Sequence, residues 1–256
     1  ATGGFSTRTA SVAAYDSIYI ESVLTTFMLL AGINFALHYR ALRGEFSHWW
    51  KDGEIRFFLG FFLLCVGFGT LVLHQARAVF GIGWGAAFRE VSFTCASLVT
   101  TTGFVTGDYD RWPIVLKPML IFLMLMGGCA GSTAGGIKVG RIHVVLRAIA
   151  REVRLFLQPQ AVIPVKLGRK TLDDDVLRSI LSFVALYLLV SLLGVLAMIP
   201  FSANIQTAGS AVIACIGNVG PGFSTVGPTL NFACIPDAGK AILTLLMLVG
   251  RLELYT

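Results

Sequence analysis

The chain has 256 residues, 55% of them hydrophobic and 13% charged, with a net charge of +6 and a mean hydropathy of +0.78. A soluble domain carries roughly 25% charged residues, so a freely soluble enzyme or binding module is excluded and an all-α polytopic membrane protein is indicated. The positive balance does not point to nucleic acid either: Lys and Arg gather in two blocks, Arg40–Arg56 and Lys138–Arg178, which the positive-inside rule places in the cytoplasm.

In chain order, the sequence opens on Thr2-Gly3-Gly4-Phe5 and continues into a helix expected over Ser17–Leu42, with the apolar run Ile18–Leu37 inside it. After the first basic block come a long helix over Ile55–Phe80 and a shorter amphipathic one over Trp84–Val99. The segment Thr100–Thr106 then holds Thr101-Thr102-Gly103-Phe104, and a second apolar helix covers Pro113–Thr133. A third unit repeats the order: Asp174–Ile199, Ile205–Ile216, the glycine segment Gly217–Ser224 with Asn218-Val219-Gly220-Pro221-Gly222, and Asp237–Tyr255. A membrane-spanning helix needs roughly 20 residues, so Trp84–Val99 and Ile205–Ile216 are too short to cross. They read as re-entrant helices followed by returning strands. Irregular backbone at membrane depth is tolerated only where protein buries it or it lines a water-filled path. The negative C-terminal end of each short helix would then favour a cation.

Each glycine signature resembles the Thr-Val-Gly-Tyr-Gly strand of potassium-channel filters, in which backbone carbonyls replace the ion's hydration shell. The candidate filter residues are Thr2, Gly3, Gly4, Thr101, Thr102, Gly103, Asn218, Val219 and Gly220. Any one copy also fits small residues that let membrane helices pack closely; three copies, each with its flanking helices where the chain allows, favour the filter. Gly127–Gly136 interrupts an apolar helix with glycine, alanine and hydroxyl residues, which should break the helix and free carbonyls inside the membrane. A close packing face is the alternative reading there. A phosphate loop fails, because Ile137 separates Gly136 from Lys138, and Val139 stands where a Ser or Thr is needed.

These residues bring the chain close to a known family. Thr2-Gly3-Gly4-Phe5-Ser6-Thr7-Arg8, Thr100–Phe104, Gly127–Lys138, Gly217–Phe223 and Gly250-Arg251-Leu252-Glu253 together resemble the Trk/Ktr/HKT superfamily of potassium transporters, and most closely its bacterial TrkH branch. The resemblance covers essentially the whole chain. It implies repeated M1–pore helix–filter loop–M2 units around a central pore, with K⁺ held at the backbone carbonyls of Gly4, Gly103 and Gly220 in repeats two, three and four. On that division, residues 1–54 end repeat two, 55–158 form repeat three, 159–172 a cytoplasmic loop and 173–256 repeat four. The chain is then expected to be the C-terminal portion of a longer protein whose first repeat lies outside it. The resemblance also implies a gate built from Gly127, Gly128, Gly131, Ser132, Thr133, Gly135, Gly136 and Lys138, with Arg251 as its electrostatic partner. It implies no cofactor in this chain, a homodimer in the bacterial inner membrane, and a cytosolic TrkA-like regulatory subunit that binds the nucleotide (ATP, ADP or NAD) itself. A sodium-permeable or sodium-coupled relative is the alternative.

Other residues carry weaker readings. Arg251 either faces the pore or snorkels to the cytoplasmic end beside Glu253. Asp16 and Asp237 stand where helix N-caps belong, while Asp108 and Asp110 either cap or concentrate cations at the pore mouth. Arg141, Arg147, Arg151 and Arg154 form a basic stretch for lipid headgroups or for the partner, and Pro159–Lys170 is expected to form a hairpin beside it. His38, His48, His74 and His143 show no metal or triad spacing, and Cys65, Cys95, Cys129, Cys215 and Cys234 read as packing residues. An intramembrane enzyme would need a convergent nucleophile and base or a carboxylate pair, and no such grouping is visible in the sequence.

Overall fold

In this computed structural model, residues 2–77, 83–158, 160, 163–167 and 170–253 are described. Ser17 opens the first helix, α1 (Ile18–Ala31), its hydroxyl accepting from the amide of Ile20 at 3.4 Å. The helix expected to run unbroken to Leu42 stops at Gly32 and restarts as α2 (Phe35–Leu42), bent by 100° from α1. Two features mark the break. A Cβ on Gly32 would stand 2.8 Å from Thr100 Cγ2 and 3.3 Å from Phe58 Cζ, so the chain passes close to the next unit there. Asn34 then caps the new helix by accepting from the Ala36 amide at 2.8 Å, which offsets the bonds lost at the break.

A short helix, α3 (Phe46–Lys51), leads to α4 (Gly53–Arg77), whose first amides are held by Asp52: Oδ1 accepts from Glu54 N at 2.9 Å and Ile55 N at 3.0 Å. Helix α5 (Trp84–Val99) covers the expected residues, and α6 (Lys117–Met126) starts after two 3-10 turns and ends where the glycine run begins. Helix α7 (Val139–Leu157) follows that run, and β1 (Lys166–Leu167) pairs antiparallel with β2 (Lys170–Thr171). The hairpin expected over Pro159–Lys170 is therefore present in its second part, while Pro159 and Val162 lie outside the described residues. The last unit is α8 (Asp174–Met198), α9 (Ile205–Ile216) and α10 (Asp237–Arg251). The ends of the helices expected to reach Phe80 and Tyr255 also lie outside the described residues.

The order α4–α5–α6 is thus repeated as α8–α9–α10. In each unit the middle helix packs against both of its neighbours, and α9 also packs on α6, joining the units. Burial follows the same plan. Phe93 to Val99 of α5 are all buried, as are most residues of α9 from Thr207 onward, while α4 exposes Leu63, Leu64, Phe68 and Leu71, and α8 exposes Leu188, Leu189, Leu192, Leu193 and Leu196. An outer surface of leucine and phenylalanine is unfavourable in water and suits lipid. Gly53–Ala76 and Asp174–Phe201 are each long and apolar enough to cross a membrane, and α1 with α2 passes the same test as a bent pair.

Candidate ion-conducting site

The two described re-entrant helices end in the same way. After α5, the Thr101 amide donates to Leu98 O at 3.1 Å and Thr102 to Ser97 O at 2.8 Å; after α9, Asn218 donates to Cys215 O at 3.0 Å and Val219 to Ala214 O at 2.8 Å. Both are Schellman closures, in which the first residue past the cap adopts the left-handed conformation. Thr101 has φ +54° and Asn218 φ +55°, where glycine is the usual occupant. A β-branched threonine held there carries about 1–2 kcal/mol of strain, which its surroundings must hold in place.

Two residues further on, the signature glycines meet. Gly4 donates to Thr102 O at 2.8 Å and Gly3 to Thr101 O at 3.3 Å. A Cβ on Gly103 would collide with Val219 O and approach Gly4 N at 2.7 Å, and one on Gly220 would collide with Gly3 O. Gly4 in turn faces Gly103 O at 2.6 Å from its absent Cβ. Three signatures far apart in the chain therefore converge backbone to backbone. Thr2 stands half-buried at the start of the first strand, Asn218 is half-buried, and Thr101, Thr102 and Val219 are buried. Serines on the short helices fix the returning strands: Ser97 Oγ donates to Phe104 O at 2.7 Å, and Ser210 Oγ accepts from Phe223 N at 2.9 Å.

The break between α6 and α7 lies directly against these strands. Gly135 N donates to Thr101 Oγ1 at 2.8 Å, and Gly135 also abuts Gly217 O. The loop closes on itself, with Gly127 against Gly135 O, Ile137 N donating to Leu125 O at 3.0 Å and Val139 N to Gly128 O at 2.9 Å. Gly128 faces Ala134 and Gly136 faces Leu125 O, while Ser132 Oγ donates to Cys129 O at 2.6 Å. It is also tied to the α1–α2 break: Cys129 N donates to Gly32 O at 2.8 Å, Phe35 N to Gly131 O at 3.1 Å, and Thr133 Oγ1 to Ala31 O at 3.4 Å. Each broken helix thus satisfies backbone groups exposed by the other, as a low-dielectric setting requires.

Four charged residues surround the loop's far end. Lys138, buried and at φ +77°, donates to Ala134 O and faces Glu253 at 3.7 Å. Glu253 also pairs with Arg141 at 2.9 Å, whose guanidinium lies 3.9 Å over the Phe183 ring. Arg251, the last residue of α10, donates to Thr133 O at 3.2 Å. From the end of α10 it reaches the loop, while Glu253 engages Lys138 and Arg141. A cavity of about 210 Å³ lies among Ser132, Gly135, Lys138, Gly250, Arg251 and Glu253.

The outer carboxylates take structural positions. Ser17 and Pro236, not Asp16 and Asp237, occupy the N-cap positions of α1 and α10; Asp16 sits one residue too early with φ +38°, and Asp237 is already inside its helix, paired with Lys240 at 3.2 Å. Asp108 closes a 3-10 turn by accepting from Asp110 N at 3.2 Å and pairs with Arg111 at 2.9 Å. Asp110 binds Lys117 at 2.7 Å and accepts from Ser224 N at 3.0 Å, linking the two complete units. In the basic stretch, Arg151 faces Asp174 at 3.8 Å, and Arg147 donates to His143 Nε2 at 2.8 Å. His143 stacks on Phe57, His74 on Trp84, and His38 bonds Leu30 O at 2.8 Å across the α1–α2 break. Cys65, Cys95, Cys129 and Cys215 are buried free thiols, and Cys234 is exposed.

Gly32, Asn34, Glu54 and the partners of Glu253 stand outside the motifs visible in the sequence. For Asn34 the sequence carries a signal: a cap-forming residue two positions after a glycine inside an apolar run.

The fold and the meeting of its strands define a membrane protein built of repeated span, re-entrant helix and span units. Residues 1–256 match the family model described as TrkH, cation transport protein, and the chain belongs to that family. It is 38% identical over 259 residues to the Trk system potassium uptake protein TrkH of Salmonella typhimurium, covering 100% of this chain and 52% of that protein. It is 32% identical to the Trk system potassium uptake protein TrkG of Escherichia coli, over 99% of this chain and 51% of that protein. The crystal structure of the potassium transporter TrkH from Vibrio parahaemolyticus superposes with a TM-score of 0.92 at 35% identity, covering 98% of this chain and 54% of that one. The chain spans about half the length of the curated relatives it matches.

Proposed function

We propose that the chain forms three quarters of a potassium-selective uptake pore, with K⁺ passing through carbonyls of the Gly4, Gly103 and Gly220 strands. The observation that carries this reading is the convergence of the three glycines, where the negative ends of α5 and α9 also point. Backbone oxygens suit a hard cation, and their number and spacing set the cost of dehydrating it. As the strands stand, Thr101 and Thr102 carbonyls accept from Gly3 and Gly4. In the proposal the longer relatives' additional residues supply a fourth strand that enters where Gly220 meets Gly3, separating the strands around the ion path.

Below the filter, the Gly127–Lys138 loop acts as the gate, held by Arg251 through Thr133 O. The partner is a cytosolic, TrkA-like ring of nucleotide-binding subunits that acts on the basic face of α7 and the hairpin after it. The nucleotide binds that partner. The assembly is a homodimer in the bacterial inner membrane, and it transports rather than catalyses, in keeping with relatives named as potassium uptake proteins.

The test is direct: determine the structure of the full-length protein in Rb⁺ or Tl⁺, heavier ions of similar size. The reading expects ion density within coordination distance of the Gly4, Gly103 and Gly220 carbonyls. Occupied density elsewhere, with none at these three strands, would overturn it.

A further inference from the structure

Glu54 belongs to no glycine signature, yet its carboxylate reaches both arms of the glycine-rich loop. Oε1 accepts from the Ala130 amide at 2.8 Å, 76 residues away, and from the Gly140 amide at 3.0 Å, 86 residues away. Ala130 lies in the loop's first half, and Gly140 lies in the first turn of α7. One oxygen therefore joins the two ends of the segment whose displacement would open the pore.

We infer that Glu54 is a positioning residue that latches the Gly127–Lys138 loop closed; the inference rests on the reading of that loop as the gate. Several features fit a latch better than ordinary packing. Gly140 leaves the space a side chain would fill, since a Cβ there would stand 2.8 Å from Glu54 Oε1. A carboxylate at the first turn of α7 also meets the positive end of that helix, which strengthens both hydrogen bonds. Glu54 is itself anchored, because Asp52 Oδ1 accepts from its amide at 2.9 Å.

The opposite side of the same loop is held by a second element. Cys129 N and Gly131 O bond to Gly32 O and Phe35 N, and the Asn34 side chain lies 3.0 Å from the position of a Gly131 Cβ. Residues 129, 130 and 131 are thus gripped alternately by the α1–α2 break and by Glu54. The chain between those two grips is α2 and α3, so a force that tilts this helix pair acts on both at once. The bonds of Glu54 go to Ala130 and Gly140 only, while the same loop reaches the Gly103 strand through Gly135 N and Thr101 Oγ1 at 2.8 Å.

The experiment compares full-length wild type with E54A, E54Q and E54D, measuring amide hydrogen exchange over residues 127–141 and K⁺ flux into liposomes without the cytosolic partner. Loss of one hydrogen bond to a charged group shifts a closed–open balance by about tenfold or more, and removing the Glu54 side chain loses two. E54A should therefore exchange at least about tenfold faster at Ala130 and Gly140 and leak K⁺ by a similar factor. E54Q, which keeps the acceptor oxygen without its charge, should fall between. E54D keeps the charge but is one methylene short of both amides, and should resemble E54A even where E54A folds poorly. Wild-type exchange in both E54A and E54D would overturn the latch. Faster exchange with unchanged flux would leave Glu54 holding the loop but refute the gate on which the inference depends.

Discussion

The Gly135 amide donates to the Thr101 hydroxyl at 2.8 Å, so the glycine-rich loop is hydrogen-bonded to the strand that carries Gly103. Movement of the loop and the conformation of the strand are linked by this bond. Thr101 is also the residue held at φ +54°, so the same side chain carries backbone strain and the contact that keeps it there.

Replacing Thr101 separates the two roles. Thr101→Val removes the hydroxyl and leaves a buried amide without its acceptor, which costs about 1–3 kcal/mol. Thr101→Ser keeps the acceptor and should stay close to wild type. Thermal unfolding in detergent with and without K⁺ checks this, and equal melting points for the two variants would contradict the role given to the bond.

At Gly103 the backbone itself is the constraint. Serine or alanine there is strained at φ +76° and would drive a Cβ into Val219 O. Since the obstructing atom is backbone, the strands must separate or shift. Gly103→Ser should lower the K⁺/Na⁺ flux ratio by about tenfold, the equivalent of roughly 1.4 kcal/mol of site discrimination. Flux assays on reconstituted protein read it.

Glu253 faces Lys138 at 3.7 Å and Arg141 at 2.9 Å, one carboxylate between two cations. E253Q leaves the buried Lys138 without its counter-charge, and since Glu253 is partly exposed the loss is about 1–2 kcal/mol rather than that of a fully buried pair. The loop should loosen, seen as faster amide exchange over Gly135–Lys138. Wild-type exchange in E253Q would show that the ammonium is held by Ala134 O alone.

Gly250 lets α10 come close to α9. A Cβ on Gly250 would fall onto Ile216 O, a backbone atom at the end of the re-entrant helix. Gly250→Ala should destabilise the last unit by about 1–3 kcal/mol, the usual range for overpacking. Thermal unfolding measures it, and an unchanged melting point would mean that α10 can shift freely.

Much of this arrangement was legible in the sequence because membrane segments announce themselves through length and burial. Trp84–Val99 and Ile205–Ile216 were placed correctly from their shortness and from the glycine signatures after them. The break after Met126 followed from a run of glycines that no helix tolerates. The break at Gly32 is not visible in the sequence, because a single glycine in an apolar run usually stays helical; the close approach of Thr100 and Phe58 comes from another unit, and only the cap from Asn34 is local. The carboxylates were harder still. Asp16 and Asp237 missed the cap positions by one residue, a shift that helix-start patterns do not resolve. Glu54 and Glu253 act on residues far away in the chain, and no local pattern encodes such partners.

The measurement that bears most directly on the central claim is ion selectivity of the full-length protein in liposomes, comparing uptake of K⁺, Rb⁺ and Na⁺ with the proposed cytosolic partner present. A carbonyl filter formed at Gly4, Gly103 and Gly220 predicts rapid K⁺ and Rb⁺ uptake, little Na⁺ uptake, and a preference that Gly103→Ser weakens. Equal Na⁺ and K⁺ flux, or a preference that Gly103→Ser leaves untouched, would contradict it.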